Sequence, residues 1–196
     1  MFYAHINSIN ILTDIDSSIM TSDEYGSENV QNIEVSEEIY KNARQYGNNY
    51  YTYSDGNIIL NPEWDNIQLD KAKQQRIVEN DELRDTALSG GVTYQNVLFD
   101  SDTDQKVNLL ATVGMMSDED TVVWYGMDNK GLLCTKADLL AIGQLITELH
   151  SFCWNNNAYI KEQIDNAESI EEVDSIVIDY ERNIENQEDI ENAIEL

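Results

Sequence analysis

Residues 121–164, TVVWYGMDNKGLLCTKADLLAIGQLITELHSFCWNNNAYIKEQI, decide the fold of the C-terminal half of this chain. Two runs rich in β-branched and large apolar residues, 121–125 and 132–134, flank a polar turn, which predicts a pair of strands. Thr135 then begins the longest helix, with Asp138 three residues on in a variant of the capping-box pattern. The apolar residues that follow recur in three- and four-residue steps, typical of a helix that buries one face.

The flanking segments complete a second, mostly helical unit. Residues 92–99 form a β-type run, and the polar residues 100–104 lead into an apolar helix that ends near Met116. Ser169 caps a short last helix. The tail 179–196 is helical in propensity and strongly acidic.

The first sixty residues predict a small unit of strands and one helix. Residues 2–6 alternate like a strand, and residues 11–15 and 30–35 are further candidate strands. Ser36 is placed to cap a helix, because two glutamates follow it in the first turn, and Gly47 is placed to end it.

The clearest hairpin of the sequence follows that helix. Residues 50–53 and 58–60 flank Asp55-Gly56, the pair that a tight primed turn prefers. Asn61-Pro62 then marks a helix start, since proline lacks the N–H that would be unsatisfied there. The charged stretch 63–88 has sparse apolar positions without a clean stripe, so it is predicted as a connecting helix.

The predicted fold class is α+β. It comprises a small N-terminal β-rich module with a hairpin, a connecting helix, and a helix-rich C-terminal domain with a short strand pair. The predicted boundaries are 1–62 for the module, 63–91 for the connecting helix and loop, 92–178 for the C-terminal domain and 179–196 for the acidic helical tail.

Charge restricts the classes of partner. The 196 residues include 38 acidic and 11 basic side chains, for a net charge of −27, so the chain repels nucleic acid and anionic membranes. No apolar run approaches the roughly 20 residues of a membrane span. The charge either keeps the surface solvated or imitates a nucleic-acid backbone that occupies a basic groove on another protein.

The small number of cysteines and the N-terminal sequence predict a protein that is made in the cytoplasm and is not exported through a signal peptide. Two cysteines are too few for a disulfide framework. The first residues, MFYAHINSIN, show no basic region and no long apolar run, so no signal peptide is predicted.

Three aspartates in one loop are the first candidates for a metal site. Asp100, Asp102 and Asp104 have the spacing of a calcium-binding loop, but its required glycine and final glutamate are replaced by Gln105 and Ala111. This segment is therefore predicted to supply the N-cap of a helix, at Ser101 or Asp102.

His150 and Cys153 share one helix face, but zinc needs three or four such ligands. We therefore expect a partly buried histidine beside a core cysteine. Without a recognisable motif, the sequence predicts no catalytic residue, no metal and no cofactor.

Aromatic and acidic residues are the candidates for partner binding. Tyrosines along one strand would present rings to both faces, and Trp124 and Trp154 are expected either to pack in the core or to anchor a partner. The C-terminal acids are either a solvated face or a docking element for a basic surface. The candidate contact residues are Tyr50, Tyr51, Tyr53, Trp154, Asp179, Glu185, Glu188 and Asp189, and the candidates for self-association of the long helix are Leu145 and Leu149.

Three segments carry a resemblance to a known family. They are VTYQNVLFDSDTDQKVNLL (92–110), VVWYGMDNKGLLCTKADLLAIGQLI (122–146) and HSFCWNNNAYIKEQIDNAESIEEVDSI (150–176). Together they resemble a domain of unknown function seen at the ends of phage tail-fibre and other tail-associated proteins. The hairpin and helix start at 50–64, YYTYSDGNIILNPEW, look like the small modules that precede such domains. The resemblance implies a phage or prophage origin and a role in the virion or its assembly, and it supplies no catalytic residues.

The leading hypothesis is therefore a non-enzymatic phage tail-associated protein that acts through protein–protein contacts. Its partners would be other tail proteins or further copies of itself, in the virion tail or in the host cytoplasm during infection. Two alternatives remain. One is an acidic, nucleic-acid-mimicking inhibitor of a host nuclease or CRISPR effector, which would bind a basic host protein. The other is a tail-fibre assembly chaperone.

Overall fold

The computed structural model describes residues 1–7, 11–17 and 30–181. It confirms the predicted α+β class, with small antiparallel sheets followed by a mostly helical part. The chain divides into two compact units, Met1–Asp70 and Lys71–Leu196, of which the second is described up to residue 181. Each unit has its own apolar core.

The first unit is built on a three-stranded antiparallel sheet. Its central strand β1 (Phe2–Ile6) pairs with β2 (Leu12–Asp16) on one side and β3 (Gln31–Val35) on the other. Helix α1 (Glu37–Tyr46) packs on this sheet, where its buried Ala43 joins strand residues in the core. The three predicted strands are thus confirmed to within a residue at their starts.

Local signals set the ends of α1 and the hairpin that follows. The hydroxyl of Ser36 accepts a hydrogen bond from the backbone N–H of Ile39, and the helix ends at Gly47. A short 3₁₀ turn, Asn48–Tyr50, precedes β4 (Tyr51–Ser54) and β5 (Asn57–Leu60). Asp55 and Gly56, between the strands, have positive φ angles of 50° and 85°, as a primed turn requires.

Helix α2 (Trp64–Ser89) begins two residues after Pro62, where its start was predicted. The side-chain oxygen of Asn61 still accepts a hydrogen bond from the backbone N–H of Glu63, at 3.0 Å. Asn61 therefore closes a turn through Pro62 and Glu63 that leads into the helix, and the helix start predicted at Pro62 lies two residues later, at Trp64.

The second unit contains two hairpins and three further helices. In chain order they are β6 (Val92–Tyr94), β7 (Val97–Phe99), α3 (Thr103–Met115), β8 (Thr121–Tyr125), β9 (Gly131–Thr135), α4 (Lys136–Asn166) and α5 (Ile170–Ser175). The β-type run predicted at 92–99 is itself a hairpin, whose turn residues Gln95 and Asn96 have φ angles of 47° and 61°. This turn was not predicted, because neither residue is glycine and glutamine seldom adopts positive φ.

Helix α4 organises the core of the second unit. Its N-terminus has the predicted capping box: Thr135 accepts from the N–H of Asp138 at 3.2 Å, and the Asp138 carboxylate accepts from the N–H of Thr135 at 2.8 Å. One face of α4 packs on both hairpins and on α3. Its buried apolar residues are Leu139, Ile142, Ile146, Leu149, Phe152, Cys153, Ile160 and Ile164.

Polar side chains attach the second part of α2 to α4. Asn80 is fully buried, and its side-chain N–H donates to the backbone carbonyl of Asn157 at 3.1 Å. The hydroxyl of Tyr180 donates to the other end of the Asn80 amide, at 2.7 Å. The sequence could not show this attachment, because a polar contact leaves no apolar stripe in it.

Asp81 is the charged centre of this contact. Its carboxylate accepts hydrogen bonds from Arg84 at 2.8 Å, from the Asn157 amide at 3.0 Å and from the Lys161 ammonium at 3.0 Å. We call Asn80, Asp81, Arg84, Asn157 and Lys161 the polar cluster. Partial burial opposes ionisation of Asp81, but these hydrogen bonds and the two cationic charges together hold its pKa below the ordinary value.

The segment after α4 folds back along α2 and α4. Lys73 donates to the backbone carbonyl of Asp165, in the last turn of α4, at 2.8 Å. Arg76 donates to the carbonyl of Ile176, which follows α5. The Asn156 amide donates to the carbonyl of Asp179 at 2.7 Å. The chain from α5 to Tyr180 is thus held by hydrogen bonds from side chains on both helices.

Asp81→Asn is expected to lower the free energy of unfolding by about 1–2 kcal/mol at neutral pH. The loss is smaller than for a fully buried ion pair, because the Asp81 side chain is 35% exposed and solvent screens part of the interaction. Since the pKa of Asp81 is depressed in the fold, its contribution is present above the ordinary value near 3.9 and is lost as the pH falls through the folded value.

Urea unfolding of both proteins from about pH 7 to about pH 3 measures this dependence. The stability gap should close at the acidic end. Asp85→Asn, which removes an exposed partner of the same arginine, is the matched control and should cost less. A gap that stays constant with pH would show that the charge of Asp81 is not what stabilises the contact.

Candidate protein-binding surface

An apolar groove lies between α3 and β8 on the surface of the second unit. It encloses about 500 Å³ and is lined by Gln105, Asn108, Ala111, Thr112, Met115, Val123, Trp124 and Tyr125. Its large apolar side chains are open to solvent: Met115 is 80% exposed, Tyr125 62% and Val123 46%. Exposed apolar residues grouped in a concavity are typical of a surface that binds another molecule.

The groove continues into an acidic cleft. This cleft encloses about 330 Å³ and is lined by Asp100, Asp102, Asp104, Gln105, Asn108, Tyr125, Gly126 and Met127. Gln105, Asn108 and Tyr125 belong to both cavities, so the two form one trough along α3 and β8. We call this combined surface the trough, with an apolar end at Met115 and an acidic end at Asp100.

A third cavity adjoins the acidic end. It encloses about 520 Å³ and shares Asp100, Asp102 and Met127 with the acidic cleft. On its far side lies His150, whose Nε2 is 2.9 Å from the backbone carbonyl oxygen of Ser101. This hydrogen bond fixes the loop before α3 against α4, and so it helps to position the aspartates.

The aspartates of the acidic end also hold their own loop together. A carboxylate oxygen of Asp100 accepts from the N–H of Asp102 at 3.0 Å. Asp102 is the N-cap of α3 and accepts from the N–H of Gln105 at 2.6 Å. The capping role predicted from the failed calcium-loop pattern is therefore confirmed for Asp102.

Close backbone contact positions β8 beside β7. The N–H of Met127 donates to the carbonyl of Leu98 at 2.8 Å. A Cβ atom on Gly126 would lie 2.5 Å from that same carbonyl oxygen and 2.6 Å from a methyl group of Val97. Only glycine fits at this position, and the contact it permits brings Tyr125 and Met127 next to the aspartates.

Nearby lysines do not neutralise the trough. Lys130 pairs with Asp128 at 3.0 Å, and Lys136 donates to the carbonyl of Met116 and pairs with Asp118. The hydrogen bond from Lys130 holds the pKa of Asp128 below its ordinary value. Lys106 on α3 lines neither cavity of the trough. The charged side chains that line the acidic end are its three aspartates.

The predicted contact tyrosines lie in the first unit and are partly buried. Tyr50 belongs to the 3₁₀ turn, where its ring contacts Trp64 edge-on at 5.0 Å. Tyr51 packs on the core and its hydroxyl accepts from the Asn42 amide. The hydroxyl of Tyr53 donates to the side chain of Gln31. Each tyrosine thus contributes to packing or hydrogen bonding within its own unit.

The two tryptophans of the second unit differ in exposure. Trp124 lies at the floor of the trough and packs against the core, as expected. Its indole N–H is buried, and no acceptor for it occurs in residues 1–7, 11–17 or 30–181. Trp154 is half-exposed, which excludes the first of its two expected roles, packing in the core, and the Arg84 guanidinium lies 4.3 Å from its ring centroid. Its role as a partner contact stays a prediction.

The remaining candidates are distributed over α4 and the C-terminus. Leu149 is buried in the core and Leu145 packs against it, so substituting either would disturb folding before it reported on self-association. Asp179 is exposed, and its carboxylate accepts from the N–H of Glu181. Glu185, Glu188 and Asp189 lie outside the described residues.

Histidines and cysteines do not assemble into a reactive site in the part of the chain that the structure describes. Cys134 and Cys153 are buried free thiols, and burial raises the pKa of Cys134. His5 is fully buried, with its ring nitrogens 2.7 Å from Asn32 and 2.9 Å from Asp16. No group of three or more metal-ligating side chains occurs within these described ranges.

Sequence reasoning missed Met115, Val123 and Tyr125. A signal was present, because β8 reads TVVWY and carries apolar residues on both faces although it belongs to a two-stranded sheet. One face of such a strand packs on the core and the other must remain exposed or meet a partner. The sequence could not show that α3 would border the exposed face.

Comparison with protein families gives one match. Residues 71–181 match the model of a domain of unknown function, DUF4376. The match covers more than half of the chain, and this protein belongs to that family. It includes the second part of α2, in agreement with the attachment of that helix through the polar cluster. Searches of curated proteins and of solved structures give no match.

Among the residues that the structure describes, no helix combines the length and the apolar character needed to cross a bilayer.

Gly126→Ala is expected to lower the free energy of unfolding by about 1–3 kcal/mol, because the added methyl group overlaps the backbone of Leu98. Thermal or urea unfolding measures the loss. Gly114→Ala in α3 is the matched control: its Cβ meets nothing within 4 Å, so the change should be neutral or stabilising. Equal stability of Gly126→Ala and the parent would contradict the close contact.

Proposed function

We propose that this protein is a non-catalytic, tail-associated phage protein that acts by binding another protein through the trough. The observation that carries the proposal is the open apolar end, where Met115, Val123 and Tyr125 are exposed side by side. Methionine and aromatic residues are enriched in protein–protein interfaces, where their burial supplies much of the binding energy.

The phage assignment rests on a separate observation. Residues 92–110, 122–146 and 150–176 resemble the domain found at the ends of tail-fibre and other tail-associated proteins. Such a protein would be located in the virion tail, or in the host cytoplasm while particles assemble. A domain that ends a fibre must contact a neighbouring protein or a host surface, and an exposed trough suits either role.

The apolar end favours this proposal over mimicry of nucleic acid. A mimic must place carboxylates where phosphates would lie, and it binds its target mainly through charge. The net charge of −27 and the aspartates of the acidic end support that alternative. Apolar side chains at the other end of the same trough add nothing to such mimicry, but they contribute directly to a protein interface.

Detection of the protein in purified particles tests the proposal. Particles of the phage or prophage that encodes the chain would be purified on a density gradient and probed with an antibody against it. We expect the protein in particles, and we expect Met115→Gln with Val123→Thr to reduce its incorporation at least about tenfold. Both changes nearly preserve side-chain size, so the fold should persist, which circular dichroism would check.

Leu110→Gln with Val107→Thr is the matched control for this experiment. The same chemical changes are made at exposed positions of α3 that do not line the trough. The control should be incorporated like the parent. Absence from particles, together with binding to immature fibres, would indicate an assembly chaperone instead. Absence from both, with binding to a basic host nuclease, would favour the inhibitor.

A further inference from the structure

The two ends of the trough differ in chemistry, and this difference restricts what can occupy it. Met115 and Val123 form the apolar end, and Asp100, Asp102 and Asp104 line the acidic end. Tyr125 lies in both cavities and presents a ring that is 62% exposed. An occupant must therefore bring apolar side chains to one end and positive charge to the other.

The charge of the chain argues against two occupants that this protein could itself supply, its C-terminal residues and a second copy of the chain. The C-terminal residues 182–196 contain one basic and five acidic residues, so they would be repelled by the acidic end. A second copy of the chain carries a net charge of −27 and would meet the same repulsion. A partner with a positive segment is the occupant that the charges favour.

We infer that the trough binds a basic, amphipathic segment of a partner protein. Its apolar side chains pack on Met115 and Val123, and a lysine or arginine lies between Tyr125 and the carboxylates of the acidic end. The inference rests on the proposed function, and it adds the chemistry of the partner.

The geometry at Tyr125 suits a cationic side chain. The face of an aromatic ring attracts a cation, and the attraction adds to that of nearby carboxylates. The carboxylates of Asp100 and Asp102 already accept backbone hydrogen bonds, which fixes their positions before a partner arrives. Each carboxylate has further acceptor sites, so an ammonium or guanidinium group can bind without breaking the loop.

Selection from a random twelve-residue peptide library, against the immobilised full-length chain, tests the inference. We expect enriched peptides that combine apolar residues with at least two lysines or arginines. The affinity of the selected peptides would then be measured by titration calorimetry. Raising the salt concentration from about 50 mM to about 500 mM should weaken binding about tenfold, because the charges at the acidic end are exposed.

Two groups of variants locate the site. Asp100→Asn, Asp102→Asn and Asp104→Asn together should weaken binding at least about tenfold and remove most of the salt dependence. Asparagine is as good an N-cap as aspartate and retains the acceptor oxygen, so α3 should remain folded. Met115→Gln with Val123→Thr should weaken binding by a similar factor without changing the salt dependence.

Controls match each group in chemistry. Glu162→Gln, Asp165→Asn and Asp174→Asn remove three exposed negative charges outside the trough, and they should leave affinity within about twofold of the parent. Leu110→Gln with Val107→Thr is the control for the apolar change, and it should also leave affinity within about twofold of the parent.

Enrichment of peptides without basic residues would overturn the inference, as would binding unaffected by both groups of trough variants. A library that yields no binder would also overturn it for short linear segments. If the trough variants lower incorporation into particles while no basic peptide binds, the inference fails and the proposed function stands. If basic peptides bind at the trough and the protein is absent from particles, the proposed function fails and the inference stands.

Discussion

The carboxylate of Asp81 accepts hydrogen bonds from Arg84, Asn157 and Lys161, and the second unit depends on this polar contact. It joins the second part of α2 to α4, and α2 itself offers no apolar stripe for this contact. Buried polar groups are costly unless they are all satisfied, so this contact tolerates few alternative arrangements. The same region holds the last described residues, because Tyr180 donates to the fully buried Asn80.

Helix α2 attaches to one side of α4. The hairpins and α3 pack on the remaining, apolar surface of α4. Phe99 from β7, Leu109 from α3 and Cys134 from β9 meet α4 in one core. Since a two-stranded sheet has only one face on that core, the outer face of β8 borders α3 in the open. The trough therefore forms because the small core covers only one face of the two-stranded sheet that contains β8.

The high acidity of the chain has a local effect at the trough, where three aspartates line one end. Asp102 is the N-cap of α3 and Asp104 lies in its first turn, where the helix dipole favours negative charge. Close contact at Gly126 then brings an exposed tyrosine next to them. A capping requirement and a packing requirement thus place charge and aromatic surface together, although neither one specifies a partner.

The sequence by itself determined the α+β class, the helix caps at Ser36 and Thr135, a cap for α3 at Ser101 or Asp102, and the primed turn at Asp55-Gly56. These features depend on interactions between residues a few positions apart, so local chemistry is sufficient to predict them. Only the tertiary structure decided that α2 belongs partly to the second unit, that Trp154 is exposed, and that Met115, Val123 and Tyr125 share a surface. Those outcomes depend on contacts between residues distant in the chain, and a polar contact or an exposed apolar face has no periodic pattern that a single sequence can reveal.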